Sequence, residues 1–216
     1  MITVGCAGFP VPATRYFREF LFVEVQETQL GIPGPGTVRR WRREAPEGFR
    51  FSLLGPKEVA AEGFREGEVV QQALQDLAGV AQELSSDTAV FVAPPEYPCN
   101  KGNKAIVKDF LALANKTFAN VVFDAGALWV PDELEELVTG EHVMIVRDPL
   151  NQGVSKRKRA YYRLPGPAGH KSRYEDPAIE RLAEIASSVD HEEVTYTFTN
   201  VDMFADAKRF RKAMKL

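Results

Sequence analysis

The chain is poor in the residues that would reveal its chemistry at a glance. Its 216 residues include two cysteines, three histidines and two tryptophans. Cys6 and Cys99 alone make no disulfide framework, so a reducing, cytoplasmic setting is expected. His142, His170 and His191 lie far apart, no metal-ligand spacing stands out, and no cofactor is expected. No apolar run approaches the roughly 18 residues of a membrane span, and the opening Met1-Ile2-Thr3-Val4 lacks the basic start of a signal peptide. Walker, GxGxxG, GxSxG and HExxH motifs are missing. Neither sign of charge dominates: 27 Lys and Arg against 30 Asp and Glu leave −3. What remains is 44% apolar and 26% charged, which excludes a disordered or fibrous chain and suffices to bury a full core.

Element types alternate along the chain. Eight short β-branched or apolar runs read as strands: 2–7, 20–26, 49–54, 88–92, 120–123, 142–146, 160–164 and 194–199. Helical patterns separate most of them. Residues 66–84 place Val69, Val70, Ala73, Leu74, Leu77, Ala78 and Ala81 at helical spacing, and 104–114 repeat the pattern. Pro131 opens a helix with acids in its first turn, as do residues 177–187, and residues 203–214 close the chain. Strands alternating with helices imply parallel pairing through right-handed crossovers. Eight such units point to one domain over 1–216, an α/β protein with a (β/α)8 TIM-barrel fold, and an open doubly wound sheet is the alternative. At this length one unit must be trimmed. The stretch from Asp148 to Arg159 carries no apolar stripe, so the sixth helix is expected to be short or missing.

Barrels place their chemistry where strands end. On the second strand Leu21, Val23 and Val25 share the outer face, while Phe22, Glu24 and Gln26 share the inner one. Glu24 therefore points inward, where a carboxylate needs a partner, and Arg147 or Arg163 are the candidates. Two roles are open to it, a structural ion pair and catalysis. His142 and His191 precede strands and fall at the opposite end, whereas His170 follows strand seven. Glu96 and Asp124 are weak candidates for holding a divalent cation.

The small net charge hides two opposed segments. Residues 149–174 contain no acid, yet hold Lys156, Arg157, Lys158, Arg159, Arg163, Lys171 and Arg173. Residues 117–146 contain no Lys or Arg. The basic segment suits an anionic small molecule or nucleic acid, and its loop from Arg163 to His170 follows strand seven, where barrels often hold phosphate. The glycines there would let backbone N–H groups approach an anion. Its other role is as a solvated loop. Tyr161, Tyr162, Tyr174 and Tyr196 near the loop offer stacking faces for bases or, alternatively, core packing. Arg39, Arg40, Arg42 and Arg43 read as an exposed helix face.

The order of these motifs resembles the YecE-like family, the TIM-barrel domain of unknown function 72. Val4-Gly5-Cys6-Ala7-Gly8-Phe9 is similar to the family's opening Gly-Thr-Ser-Gly-aromatic element, and residues 22–28 to its Val-Glu-Ile-Asn-Ser-Thr strand. The most specific match joins Thr37, Val38 and Trp41 with Pro46, Phe49 and Phe51. Phe91 to Pro95, Tyr162 to Gly166, and Phe198-Thr199-Asn200 follow in order. The chain departs from the family at a lysine replaced by Leu54 (with Lys57 close by), a glutamine replaced by Ala93, a Glu-Phe-Arg-His element replaced by residues 122–125, and a histidine replaced by Pro165. The resemblance implies the barrel and supplies no reaction. The sequence thus leads to two expectations. One is an enzyme acting on a phosphorylated or nucleotide-like ligand at the C-terminal ends of the strands. In it Glu24 is the catalytic carboxylate, and Gln26, Lys57, Arg147, Arg163, His170 and Asn200 are the ligand-binding set. The other is a non-catalytic phosphate- or nucleic-acid-binding protein whose active site has degenerated.

Overall fold

The computed structural model describes residues 1–216. In chain order the elements are β1 (Ile2–Ala7), α1 (Ala13–Tyr16), β2 (Phe22–Val25), α2 (Glu27–Leu30), α3 (Pro35–Glu44), β3 (Arg50–Leu54), α4 (Lys57–Ala61), α5 (Glu68–Leu84), β4 (Thr88–Val92), α6 (Lys101–Thr117), β5 (Asn120–Asp124), α7 (Pro131–Leu137), β6 (Val143–Ile145), β7 (Arg159–Leu164), α8 (Asp176–Ser188), β8 (Glu193–Phe198) and α9 (Met203–Met214). Local chemistry accounts for their limits. Proline stands in the first turn of α3, α7 and α8, where its missing N–H costs nothing. Asn100 caps α6 by accepting from the Asn103 N–H at 2.9 Å. The α5 helix buries Val70, Ala73, Leu74, Leu77, Val80, Ala81 and Leu84, a continuous stripe at helical spacing.

The strands form one sheet in the order β6-β5-β4-β3-β2-β1-β8-β7. The pairs β1–β2, β1–β8, β3–β4, β4–β5, β5–β6 and β7–β8 run parallel. This is the strand succession of the (β/α)8 fold expected from the alternating pattern. No helix lies between β6 and β7, as the missing apolar stripe indicated. The second strand is shorter than its apolar run. Leu21 lies just before it and is 57% exposed, so of the three residues on the outer face only Val23 and Val25 are covered. The Leu21 carbonyl still accepts from the Arg50 N–H at 2.8 Å.

The residues gather into two compact units. The first comprises Met1–Glu24, Pro46–Arg50 and Arg147–Leu216. Its aromatic core includes Tyr16 and Phe20 against Phe204, and Tyr196 and Phe198 against Phe210. The second comprises Val25–Ala45 and Phe51–Val146. There Phe64 packs against Tyr97, Phe110 and Phe123, and Trp129 stacks on Tyr97 while donating its indole N–H to the Tyr97 carbonyl at 2.9 Å.

Candidate functional site

In the first unit a carboxylate with no solvent exposure meets a phenol and a guanidinium. Glu24 Oε2 accepts from the Tyr161 hydroxyl at 2.8 Å, and Oε1 accepts from Arg163 Nη2 at 3.0 Å. Strand alternation explains the meeting. Tyr161 and Arg163 are two apart on β7 and share its inner face, and Glu24 occupies the inner face of β2. Of the two arginines expected to serve Glu24, Arg163 makes the salt bridge. Arg147 is buried beside β7, and its carbonyl accepts from the Arg163 N–H at 3.1 Å. The Arg163 side chain keeps 12% exposure, so its charge reaches the solvent edge where that of Glu24 does not.

Gly5 makes room for Phe22, two residues before Glu24 on β2. A Cβ there would lie 2.3 Å from the Phe22 carbonyl oxygen and 2.8 Å from its ring. In register with Gly5 on β8 stands Thr197, which is itself in register with Arg163. Thr197 is fully buried and its hydroxyl has no hydrogen-bond partner. In the sequence Tyr161 stands out only as a ring for stacking or core packing, not as a partner of Glu24, and Thr197 does not stand out at all. The two-residue spacing of Tyr161 to Arg163 was the available signal for the first, and nothing marked the second.

Asn200 and His170 sit just past β8 and β7, but both already serve the fold. Asn200 Nδ2 donates to the Ser172 carbonyl at 3.0 Å and to Asp206 Oδ2 at 2.8 Å, while its Oδ1 is buried without a partner. Asp206 also accepts from the Tyr174 N–H and from Arg209, which bonds Asp176 as well. His170 Nδ1 bonds the Thr199 carbonyl at 2.8 Å, which leaves Nε2 facing outward as an acceptor. The anion-binding loop departs from expectation. Its amide groups are taken: Gly166 N–H by the Tyr174 hydroxyl, Ala168 N–H by the Ser172 hydroxyl, and the N–H groups of Gly169 and Ser172 by carbonyls of the same loop. These four amides are therefore not open to an anion.

Much of the basic segment is also neutralised at close range. Lys158 pairs with Glu192, and Arg159 makes two bonds to Glu193 Oε2. Lys156 and Lys171 are exposed. Tyr161, Tyr162, Tyr174 and Tyr196 are all buried, so none presents a face on which a base can stack. Burial pushes the Tyr174 and Tyr196 phenols well above their ordinary range. Asp148, three residues past β6, is also raised by burial, and its oxygens accept from the Leu150 N–H and the Asn151 side chain.

The remaining candidates lie in the second unit. Gln26 is half-buried and precedes α2. Lys57 is exposed, opens α4, and borders a cleft of about 320 Å³ with Gly55, Ala93 and Pro94 at the ends of β3 and β4. Glu96 is exposed, and Asp124 Oδ1 accepts from the Gly126 N–H at 3.2 Å. No three His, Cys, Asp or Glu side chains gather in a way that would hold a metal ion, so Glu96 and Asp124 do not by themselves form such a site. Cys6 is buried against the Met203 carbonyl, and burial pushes its thiol up to about 12, which makes it a poor nucleophile.

Comparison with known proteins follows the same lines. The sequence model of DUF72, a family of proteins of unknown function, matches residues 13–216. No curated protein matches. A DUF72 family protein from Enterococcus faecalis V583 superposes with a TM-score of 0.79 at 17% identity, covering 100% of this chain and 96% of that one. A second, from Thermotoga maritima MSB8, gives 0.76 at 15% identity with 100% of both chains covered. An AP endonuclease of family 2 from Brucella melitensis gives 0.59 at 11% identity over 92% of each chain. At these identities the likeness is one of fold, and the fold is the (β/α)8 TIM barrel.

Proposed function

The chain belongs to the DUF72 family, and from that premise we propose that it is an enzyme acting on a small phosphorylated, nucleotide-like ligand at the carboxyl ends of β2, β7 and β8. The observation that carries this reading is the Glu24–Arg163 pair with Tyr161 behind it. Two charges taken out of water stabilise a fold no better than apolar side chains of similar volume would. Their place at strand ends is where this fold puts its chemistry. Arg163, reaching solvent, would hold an anionic group, with Lys171 at the same end of β7, while His170 Nε2 would accept from a ligand hydroxyl. Glu24, held by two donors in one orientation, would exchange a proton with a ligand hydroxyl. Asn200 Oδ1, buried without a partner, adds an acceptor.

The test is a panel of nucleotides and sugar phosphates, with and without Mg²⁺, read by thermal shift and then by phosphorus NMR for turnover. A ligand at a hundred times its Kd adds about 2.7 kcal/mol, which is roughly 5–10 °C for a chain of this size. Arg163→Ala should remove the shift. Glu24→Gln should keep binding and lose turnover. Stabilisation without turnover by any member of the panel would make this a binding protein without catalysis, and no stabilisation at all would reject the anionic ligand.

A further inference from the structure

The second unit carries a cleft that shares no residue with the Glu24 site. It encloses about 560 Å³ between Gly31 and Ile32 after α2, Pro56 and Glu58 at the start of α4, and one face of α5. The α5 helix has two stripes. One is the buried stripe that begins at Val70. The other runs Val69, Gln72, Ala73, Asp76, at spacings of three, four and seven residues, and lines the cleft. Apolar side chains stay open to water here: Ile32 is 44% exposed and Val69 48%. Neighbouring Leu30 is exposed too.

The rim is acidic on two sides, with Glu58 from α4 and Glu68 and Asp76 from α5, and no lysine or arginine lines the cleft. Asp76 accepts from Gln72 at 2.9 Å, whereas the Glu58 and Glu68 carboxylates bond nothing within the chain. An uncompensated acidic rim around an exposed aliphatic floor repels phosphate-bearing partners and favours cations. The floor holds no aromatic ring for a cation to sit on, so the complement is aliphatic between the charges.

We propose that this cleft docks a short segment of a partner protein in which one or two aliphatic side chains are flanked by lysine or arginine. The aliphatic side chains cover Ile32 and Val69, and the flanking cations meet Glu58, Glu68 and Asp76. Such a segment binds by apolar burial with charge fixing its register, so its affinity falls with salt but does not vanish.

The experiment uses the full chain and fluorescein-labelled hexapeptides with leucine or isoleucine at the central positions and Lys or Arg around them, read by anisotropy. Members of this panel should bind, and peptides with serine in place of the aliphatic residues should bind at least tenfold more weakly. The exposed double substitutions Glu68→Lys with Asp76→Lys, and Ile32→Ser with Val69→Ser, should each weaken binding at least tenfold while circular dichroism stays unchanged. Absence of binding across the panel overturns the proposal, as does equal binding of the serine peptides or of the variants. A dimer in sedimentation that Ile32→Ser with Val69→Ser dissociates would assign the cleft to a second copy of the chain instead, and would likewise overturn it.

Discussion

Tyr161 donates its hydroxyl hydrogen to the carboxylate of Glu24, 137 residues earlier in the chain, so one short bond ties β7 to β2. Together with Arg163 it leaves the buried carboxylate served on both oxygens. Tyr161→Phe should cost about 1.5–3 kcal/mol, the worth of a hydrogen bond to a charged group. Glu24→Gln should cost about 3–5 kcal/mol, because it strips the guanidinium of its counter-charge. Urea unfolding of both single variants and the double variant checks this. The two costs should fail to add by at least about 0.5 kcal/mol, since both act on one network.

Gly5 should tolerate no side chain. Gly5→Ala forces a methyl group against the Phe22 carbonyl oxygen, which is backbone and cannot swing away. The expected loss is about 3 kcal/mol or more, at the severe end for overpacking. Thermal unfolding would show it as a fall of roughly 6–12 °C. Gly31→Ala, where a Cβ meets nothing within 4 Å, is the matched control.

Alkali should unfold the protein before most surface groups matter. The Cys6 thiol is raised from 9.0 to about 12, and burial also raises the phenols of Tyr16, Tyr174 and Tyr196. All four groups are neutral when protonated, so the folded state keeps its protons to higher pH than the unfolded state does. Stability is therefore intact below about pH 9 and falls as pH climbs toward 12, by on the order of 4 kcal/mol from Cys6 alone. Chemical denaturation between pH 8 and 11 measures the slope. At pH 8 iodoacetamide should label the half-buried Cys99 and spare Cys6 until the fold opens.

The ordering of the loop between β7 and α8 should depend on Asp206. This carboxylate is 1% exposed and joins Asn200, the Tyr174 N–H and Arg209. Asp206→Ala removes three bonds at once and should cost about 3–5 kcal/mol. Limited proteolysis should then cut between Pro165 and Tyr174 well before the rest of the chain. Equal cutting rates in the variant and the original protein would show that the loop holds its shape without this carboxylate.

Periodicity made most of the fold legible. The bounds of β1, β4 and α9 can be read from the apolar pattern, and the absence of a sixth helix follows from a stretch with nothing to bury. Glu24 could be placed inside by counting alternate residues, and Arg163 as its partner by charge. The loop amides could not be read, because they are occupied only when the loop folds back on itself: the Tyr174 hydroxyl takes the Gly166 N–H and the Ser172 hydroxyl the Ala168 N–H. The pairing of part of the basic segment could not be read either, because its partners are distant in the sequence. Glu192 and Glu193 lie 34 residues beyond Lys158 and Arg159 and cancel them only once β7 and β8 pair.

The helix-free stretch between β6 and β7 has a consequence for engineering. Its first half closes on itself, with Asp148 bonding Leu150, Asn151 and Gln152. Its second half is anchored by the Ser155 N–H on Tyr162 and by the Arg157 carbonyl on His191. Between these halves Gly153 and Val154 are tied to neither, and Gly153 holds the left-handed backbone of an open turn. A peptide spliced in after Gly153 should therefore lengthen the chain without breaking a bond, which makes this joint the natural seam for inserting a tag or a second domain.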